Sequence, residues 1–172
     1  MYTIYYQTGE IVRTSDGKVI SPTGDQYDTD YLGYVEWTNQ GNTPNIGEIS
    51  ASGKVAAQSE IWDLIKLERD RRKNEGGYKV GTDWYHSDTS SRIQQLGLVM
   101  MGAGIPPNLY WKTMSNTFVI MTQTLALQIF QAAAASDVTI FTVAEQKKAA
   151  MMALSNPRTY DVLSGWPLIY GE

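Results

Sequence analysis

The sequence has no cysteine, and that absence removes more chemistry than any motif in it supplies. Without thiolates there are no disulfides, no cysteine nucleophile and none of the usual structural zinc sites. Histidine is nearly absent as well, His86 being the single one. A metal centre needs several ligands in defined geometry, which His86 with Asp83 and Asp88 does not supply. Ser87, His86 and Asp88 are the residue types of a catalytic triad. Neighbours on a strand do not converge as nucleophile and base must, and no G-x-S-x-G elbow is present. His86 therefore reads as a hydrogen-bonded structural histidine ahead of a helix cap. Charge is scarce too, at 19 % of residues against the usual quarter. The formal net charge of −4 leaves no electrostatic footprint for nucleic acid. The longest apolar run, Leu96 to Pro107, is broken by glycines and too short to cross a bilayer. Met1 to Tyr6 lacks the basic region and apolar block of a secretory signal. The expectation is a chain folded in a cytoplasm, with neither nucleic acid nor membrane as partner.

Other enzyme signatures are equally thin. Gly97, Gly102 and Gly104 end a helix instead of opening one, so they form no phosphate cradle. A glycosidase-type pair among the scattered carboxylates Glu60, Asp63, Glu68, Asp70, Asp83 and Asp88 is the one hydrolytic reading left open. No catalytic, cofactor-binding or metal-ligating residue is assigned, no cofactor is implied, and the chain is not read as an enzyme.

What the sequence does have is aromatic weight: eleven Tyr and five Trp against three Phe. Tyr and Trp bury area while keeping a polar handle, and they are enriched where protein surfaces meet. The methionines read as core gap-fillers. Tyr2, Ile4 and Tyr6 alternate as one face of a strand. Ile11 to Arg13 and Val19-Ile20 flank the hairpin signal Ser15-Asp16-Gly17, with Ser21-Pro22-Thr23-Gly24 as the stop. A third strand is predicted over Tyr31 to Thr38, ended by the turn-rich Asn39 to Asn45.

Residues 45–56 look like a linker. A helix then places Ala57, Ile61, Leu64, Ile65 and Glu68 on one stripe, capped by Ser59 or an earlier residue and stopped at Gly76-Gly77. A hairpin follows, Tyr78 to Val80 with Trp84 to His86. Ser87 or Asp88 caps a helix from Thr89 to about Met101, whose inner stripe is Ile93, Leu96, Gly97 and Met100. Tyr110 to Thr113 pairs with Thr117 to Ile120. Thr122 caps a third helix through Ala132–Ala135, and Ser136-Asp137 breaks it before a fourth helix, Val138 to Leu154. The last segment, Tyr160 to Ile169, is extended. The fold class is α+β: a small N-terminal antiparallel β module (1–46), a linker (47–56), and a helical domain with two β-hairpins inserted between helices (57–172).

The stretch from about Ile61 to Pro167 resembles a domain of unknown function found in tail-fibre-related proteins of tailed bacteriophages. The likeness rests on Arg69-Asp70-Arg71-Arg72, Gly77, Val80, Trp84-Tyr85-His86-Ser87-Asp88, Ser91-Arg92 and Gln94-Gln95. It continues through Leu98-Val99-Met100-Met101-Gly102-Ala103, Trp111-Lys112-Thr113-Met114 and the alanine run ahead of Phe141. Tyr31, Trp37 and Gly41-Asn42-Thr43-Pro44 are similar to a short module that opens phage fibre-associated proteins. The resemblance implies a virion tail component assembled in host cytoplasm, an adaptor in the tail-fibre or baseplate region. The alternative is a fibre-assembly chaperone absent from the mature virion. It also implies other tail or fibre proteins as partners, together with a homo-oligomer, a trimer by fibre symmetry. Aromatic residues on thin structure are the expected partner contacts: Tyr2, Tyr6, Tyr31, Trp37 and Trp166.

Overall fold

The computed structural model describes residues 1–21 and 28–172. The fold is α+β, with a strand-rich N-terminal part followed by a helical region carrying short antiparallel sheets. Two compact units divide it. One comprises Met1–Ile61 with Met151–Tyr160, the other Trp62–Ala150 with Asp161–Glu172.

In the first unit, β1 (Tyr2–Tyr5), β2 (Ile11–Arg13) and β3 (Val19–Ile20) form the expected antiparallel meander. Arg13 grips Asp16 through Nε and Nη2, which closes the β2–β3 turn and holds the Asp16 carboxyl down at about 2. Pro22, Thr23 and Gly24, expected to stop β3, lie outside the described residues. The third strand expected over Tyr31 to Thr38 is instead a helix, α1 (Thr29–Asn39). Asp28 caps it, accepting from the amides of Asp30 and Tyr31. Tyr, Val, Trp and Thr favour strands by composition, but Tyr31, Tyr34 and Trp37 also lie at helical spacing. That face packs on Tyr2, Ile11 and Ile20, with the rings of Tyr34 and Trp37 edge-on to Tyr2 at 5.2 and 5.1 Å. Tertiary packing overrides the local preference.

Residues 45–56, expected as a linker, are structured. β4 (Asn45–Gly47) adds parallel to β1, giving the order β3-β2-β1-β4. The helix α2 (Ala51–Glu75) then starts well before Ser59. Buried Ser50 accepts from the Gly53 amide at 3.0 Å, and its hydroxyl also donates to Glu10. Ser and Gly here serve a helix start and a close approach to Thr8, not flexibility.

In the second unit, β5 (Tyr78–Val80) pairs with β6 (Asp83–Tyr85), followed by α3 (Thr89–Met101). Next β7 (Tyr110–Lys112) pairs with β8 (Phe118–Ile120). Asp88 is the α3 cap, accepting from the Ser91 amide at 3.0 Å. Ser87 is engaged differently, and its buried hydroxyl accepts from the Gly77 amide at 2.9 Å. Two helices were expected after Thr122, and there is one, α4 (Gln123–Met152), unbroken at Ser136-Asp137. Thr122 accepts from the Leu125 amide at 3.1 Å. Asp137 does not cap, because its carboxylate is engaged sideways by Arg92. Tyr78, Tyr85, Leu98, Met121, Ala126 and Ile129 form this unit's core.

Candidate interaction surface

Helix α3 turns its apolar stripe the wrong way for a core. Ile93, Leu96 and Met100, predicted to face inward, are 65 %, 44 % and 80 % exposed, and Gly97 is exposed with them. Gln95 and Leu98 are the buried residues. Hydrogen bonds decide the orientation. Gln95 Nε2 donates to the His86 carbonyl at 2.8 Å. Arg92 donates to the Ser87 carbonyl at 2.7 Å, to the Lys73 carbonyl at 2.8 Å, and to both Asp137 oxygens at 2.7 and 2.9 Å. Its guanidinium also lies 5.3 Å from the centre of the Tyr78 ring. These charge-assisted bonds in partly buried ground outweigh burial of the stripe.

The same unit exposes two further apolar rows. On the second hairpin, Trp111 and Val119 face inward while Tyr110, Phe118 and Ile120 face out. On α4, Ala126, Ile129, Ile140 and Ala144 are buried, whereas Val138 is two-thirds exposed and Leu127, Phe130 and Phe141 a little under half. Phe141 carries the Arg69 guanidinium 4.7 Å above its ring.

Polar ground offers less. His86 lines a hollow of about 230 Å³ with Ser91, Gln94, Tyr110, Trp111 and Lys112, smaller than the ~300 Å³ at which small-molecule pockets begin. Its backbone carbonyl, held by Gln95, is the hydrogen-bonded part of the residue. Among the described residues no three His, Asp or Glu side chains gather as a metal site. The strongest ionic cluster locks the fold. Buried Arg72 binds Glu68 at 2.6 Å, the Pro167 carbonyl at 2.7 Å and Glu172 at 2.8 Å. The Arg71 and Arg72 guanidiniums hold the Glu68 carboxyl below its usual range.

Residues 56–163 match the model of a family described as domain of unknown function (DUF4376). The chain belongs to that family. No curated protein and no solved structure matches it. The DUF4376 region contains all three exposed rows, from Ile93 on α3 to Phe141 on α4.

The aromatic residues expected at a partner surface are mostly elsewhere. Tyr2 is buried beneath α1, and Tyr31 and Trp37 pack beside it. Trp166 is buried, donates through Nε1 to the Val162 carbonyl at 2.8 Å, and lies between Arg72 and Lys147. Only Tyr6 of the five is exposed, one residue past the end of β1. Thin structure thus filled its own small core with its large rings. The accessible apolar surface comes mainly from Ile, Leu, Met, Val and Phe, with Tyr6 and Tyr110 beside them, and the α3 periodicity was its visible signal. By length and composition α4 is also the one helix among the described residues long and apolar enough to cross a membrane.

Proposed function

We propose that this DUF4376 protein is a structural component of a bacteriophage tail, an adaptor in the tail-fibre or baseplate region that works through protein–protein contacts. The observation that carries the reading is the α3 stripe: Ile93, Leu96 and Met100 form an amphipathic face that the fold leaves open. Exposed apolar patches of this kind mark association sites. The tail location is supported by the resemblance of residues 61–167 to tail-fibre-related proteins. Its partners in this reading are other tail or fibre proteins and sister copies in three-fold symmetry, put together in host cytoplasm.

Mass spectrometry of purified virions tests it. A structural component is present in whole-number ratio to the other tail proteins. A chain found in infected-cell lysate but missing from virions would make it an assembly chaperone instead.

A further inference from the structure

Residues 161–172 are held to the rest of the second unit in the way a bound peptide is held, by side-chain anchors. They contain neither helix nor strand. Among the described residues one main-chain hydrogen bond joins them to another part of the chain, from the Tyr170 amide to the Gly76 carbonyl at 2.9 Å. The anchors fall at every third position. Trp166 is nine-tenths buried, its ring centre 5.8 Å from the Arg72 guanidinium and 5.3 Å from Lys147 Nζ. Ile169 is buried against Gly76, where an added Cβ would lie 2.5 Å from its Cγ2. Glu172 accepts from the Arg72 guanidinium at 2.8 and 3.0 Å. Between the anchors Leu168 is 74 % exposed. The loop that leads to Trp166 is closed by its own bonds. Asp161 accepts from the Leu163 and Ser164 amides, and Trp166 Nε1 donates to the Val162 carbonyl.

Charge is divided between this segment and the ground beneath it. Arg72 on α2 and Lys147 on α4 are both buried, and Glu68, shared between Arg71 and Arg72, meets them from α2 itself. The segment supplies the other acceptors: the Glu172 carboxylate and the Pro167 carbonyl to Arg72, and the Ser164 carbonyl to Lys147. With the segment lifted away, Arg72 and Lys147 stand in water beside one shared carboxylate, and such ground attracts an acidic chain. We propose that Trp166–Glu172 is a releasable strap, and that the ground it covers is a seat for an extended acidic segment of a partner protein bearing an aromatic anchor. Release is favoured because local opening is easiest where buried apolar contacts and backbone bonds are few. Here two apolar side chains and one amide hold seven residues. The remaining bonds are carboxylate and carbonyls on cations, which water or another peptide can replace. A peptide suits the seat better than a small anion does, because the strap reads it through three side chains spaced along an irregular chain, as extended ligands do.

Amide hydrogen exchange of the full wild-type chain, followed by NMR, tests release. The Tyr170 amide is expected to exchange about 100-fold or more faster than the buried turns of α2, at a rate that low urea leaves unchanged. Exchange with the rate and urea dependence of α2 overturns the proposal, since the strap would then leave only when the unit unfolds. The probe for the seat is a fluorescein-labelled synthetic peptide of residues 161–172, titrated into the wild type and into Glu172→Lys. Glu172 is 37 % exposed, and circular dichroism monitors folding of the variant. A weakened strap leaves more seats open, so the peptide should bind the variant about 10-fold or more tightly than the wild type. Peptides carrying Glu172→Gln or Trp166→Ala should bind the variant about 10-fold more weakly. Peptide and chain are both acidic, the chain at −4, so unspecific attraction does not assist binding. Equal binding to the two chains, binding to neither, or binding indifferent to both peptide changes overturns the seat. If Glu172→Lys fails to fold, Glu172→Gln takes its place, and exchange in the wild type decides release without any variant. None of these outcomes depends on whether the protein is found in virions, so this inference and the tail assignment stand or fall separately.

Discussion

The two hairpins of the second unit have strands of the same length and opposite burial. Each pairs three residues with three, across two connecting residues in the first and five in the second, and each is rich in aromatics. In β5–β6 the end pair Tyr78↔Tyr85 points inward, with those rings 2 % and 1 % exposed, and the middle pair Lys79↔Trp84 takes the other face, where Lys79 is exposed and Trp84 is half-buried against Tyr170. In β7–β8 the middle pair Trp111↔Val119 points inward, so the end pairs Tyr110↔Ile120 and Lys112↔Phe118 are left outside. A shift of one residue in phase exchanges every side chain between faces. One hairpin therefore buries two rings and half-buries a third, while the other leaves three apolar residues exposed. The phase is set from outside each hairpin. Ser87 holds the Gly77 amide at the entry of the first, and the Met114 amide of the second donates to the Trp84 carbonyl at 2.9 Å.

Breaking the inward pair should have the largest effect. Tyr85→Ala is expected to cost about 3–5 kcal/mol in urea denaturation, while its mirror in the other hairpin, Tyr110→Ala, stays within about 0.5 kcal/mol. Equal losses at the two positions would mean that the second hairpin's outer face is covered within the chain. The entry of the first hairpin comes next. Gly77 has φ +73°, and a Cβ there would lie 2.3 Å from Met114 Sδ and 3.0 Å from the Tyr85 carbonyl oxygen. Gly77→Ala should cost about 2 kcal/mol or more. Gly81→Ala, at φ +62° with nothing within 4 Å, should cost about 1 kcal/mol.

A smaller effect depends on pH. Burial pushes the Tyr78 hydroxyl up to about 12 from its ordinary 10. Its neutral form is the one that folding favours, so that contribution is complete below pH 10 and is lost as pH rises towards 12. Tyr78→Phe should flatten this alkaline limb. Because the hydroxyl is buried and no protein group bonds it, the variant should match or exceed wild-type stability at pH 7 by about 1 kcal/mol. A loss at pH 7 would reveal a bonded hydroxyl. The smallest change expected is Phe118→Ser, within about 0.5 kcal/mol in thermal unfolding.

Both hairpins and both ends of α3 were legible because turn and cap chemistry is local: Gly81-Thr82, Ser115-Asn116, Asp88 and Gly102 act on their immediate neighbours. What failed was whatever depended on distant chain. α1 is a helix because of what Tyr31, Tyr34 and Trp37 lie against. β4 exists by pairing with β1, more than forty residues earlier. Ser136-Asp137 carries the marks of a cap, but Asp137 answers to Arg92 across the unit. The candidate surface was half legible. Periodicity identified Ile93, Leu96, Gly97 and Met100 as one apolar face of α3, but only the tethers of Arg92 and Gln95 show that it points out. Of the aromatic residues expected as partner contacts, Tyr2 and Trp166 are buried within their own units, Tyr31 and Trp37 are half-buried and Tyr6 is exposed, because small units need their largest rings inside.

Arg92 has a kinetic corollary. One guanidinium fastens the last turn of α2, the residue before the α3 cap and the middle of α4. These segments are far apart along the chain, so none can fray while the fork holds. Their amides should exchange with deuterium as one cooperative block.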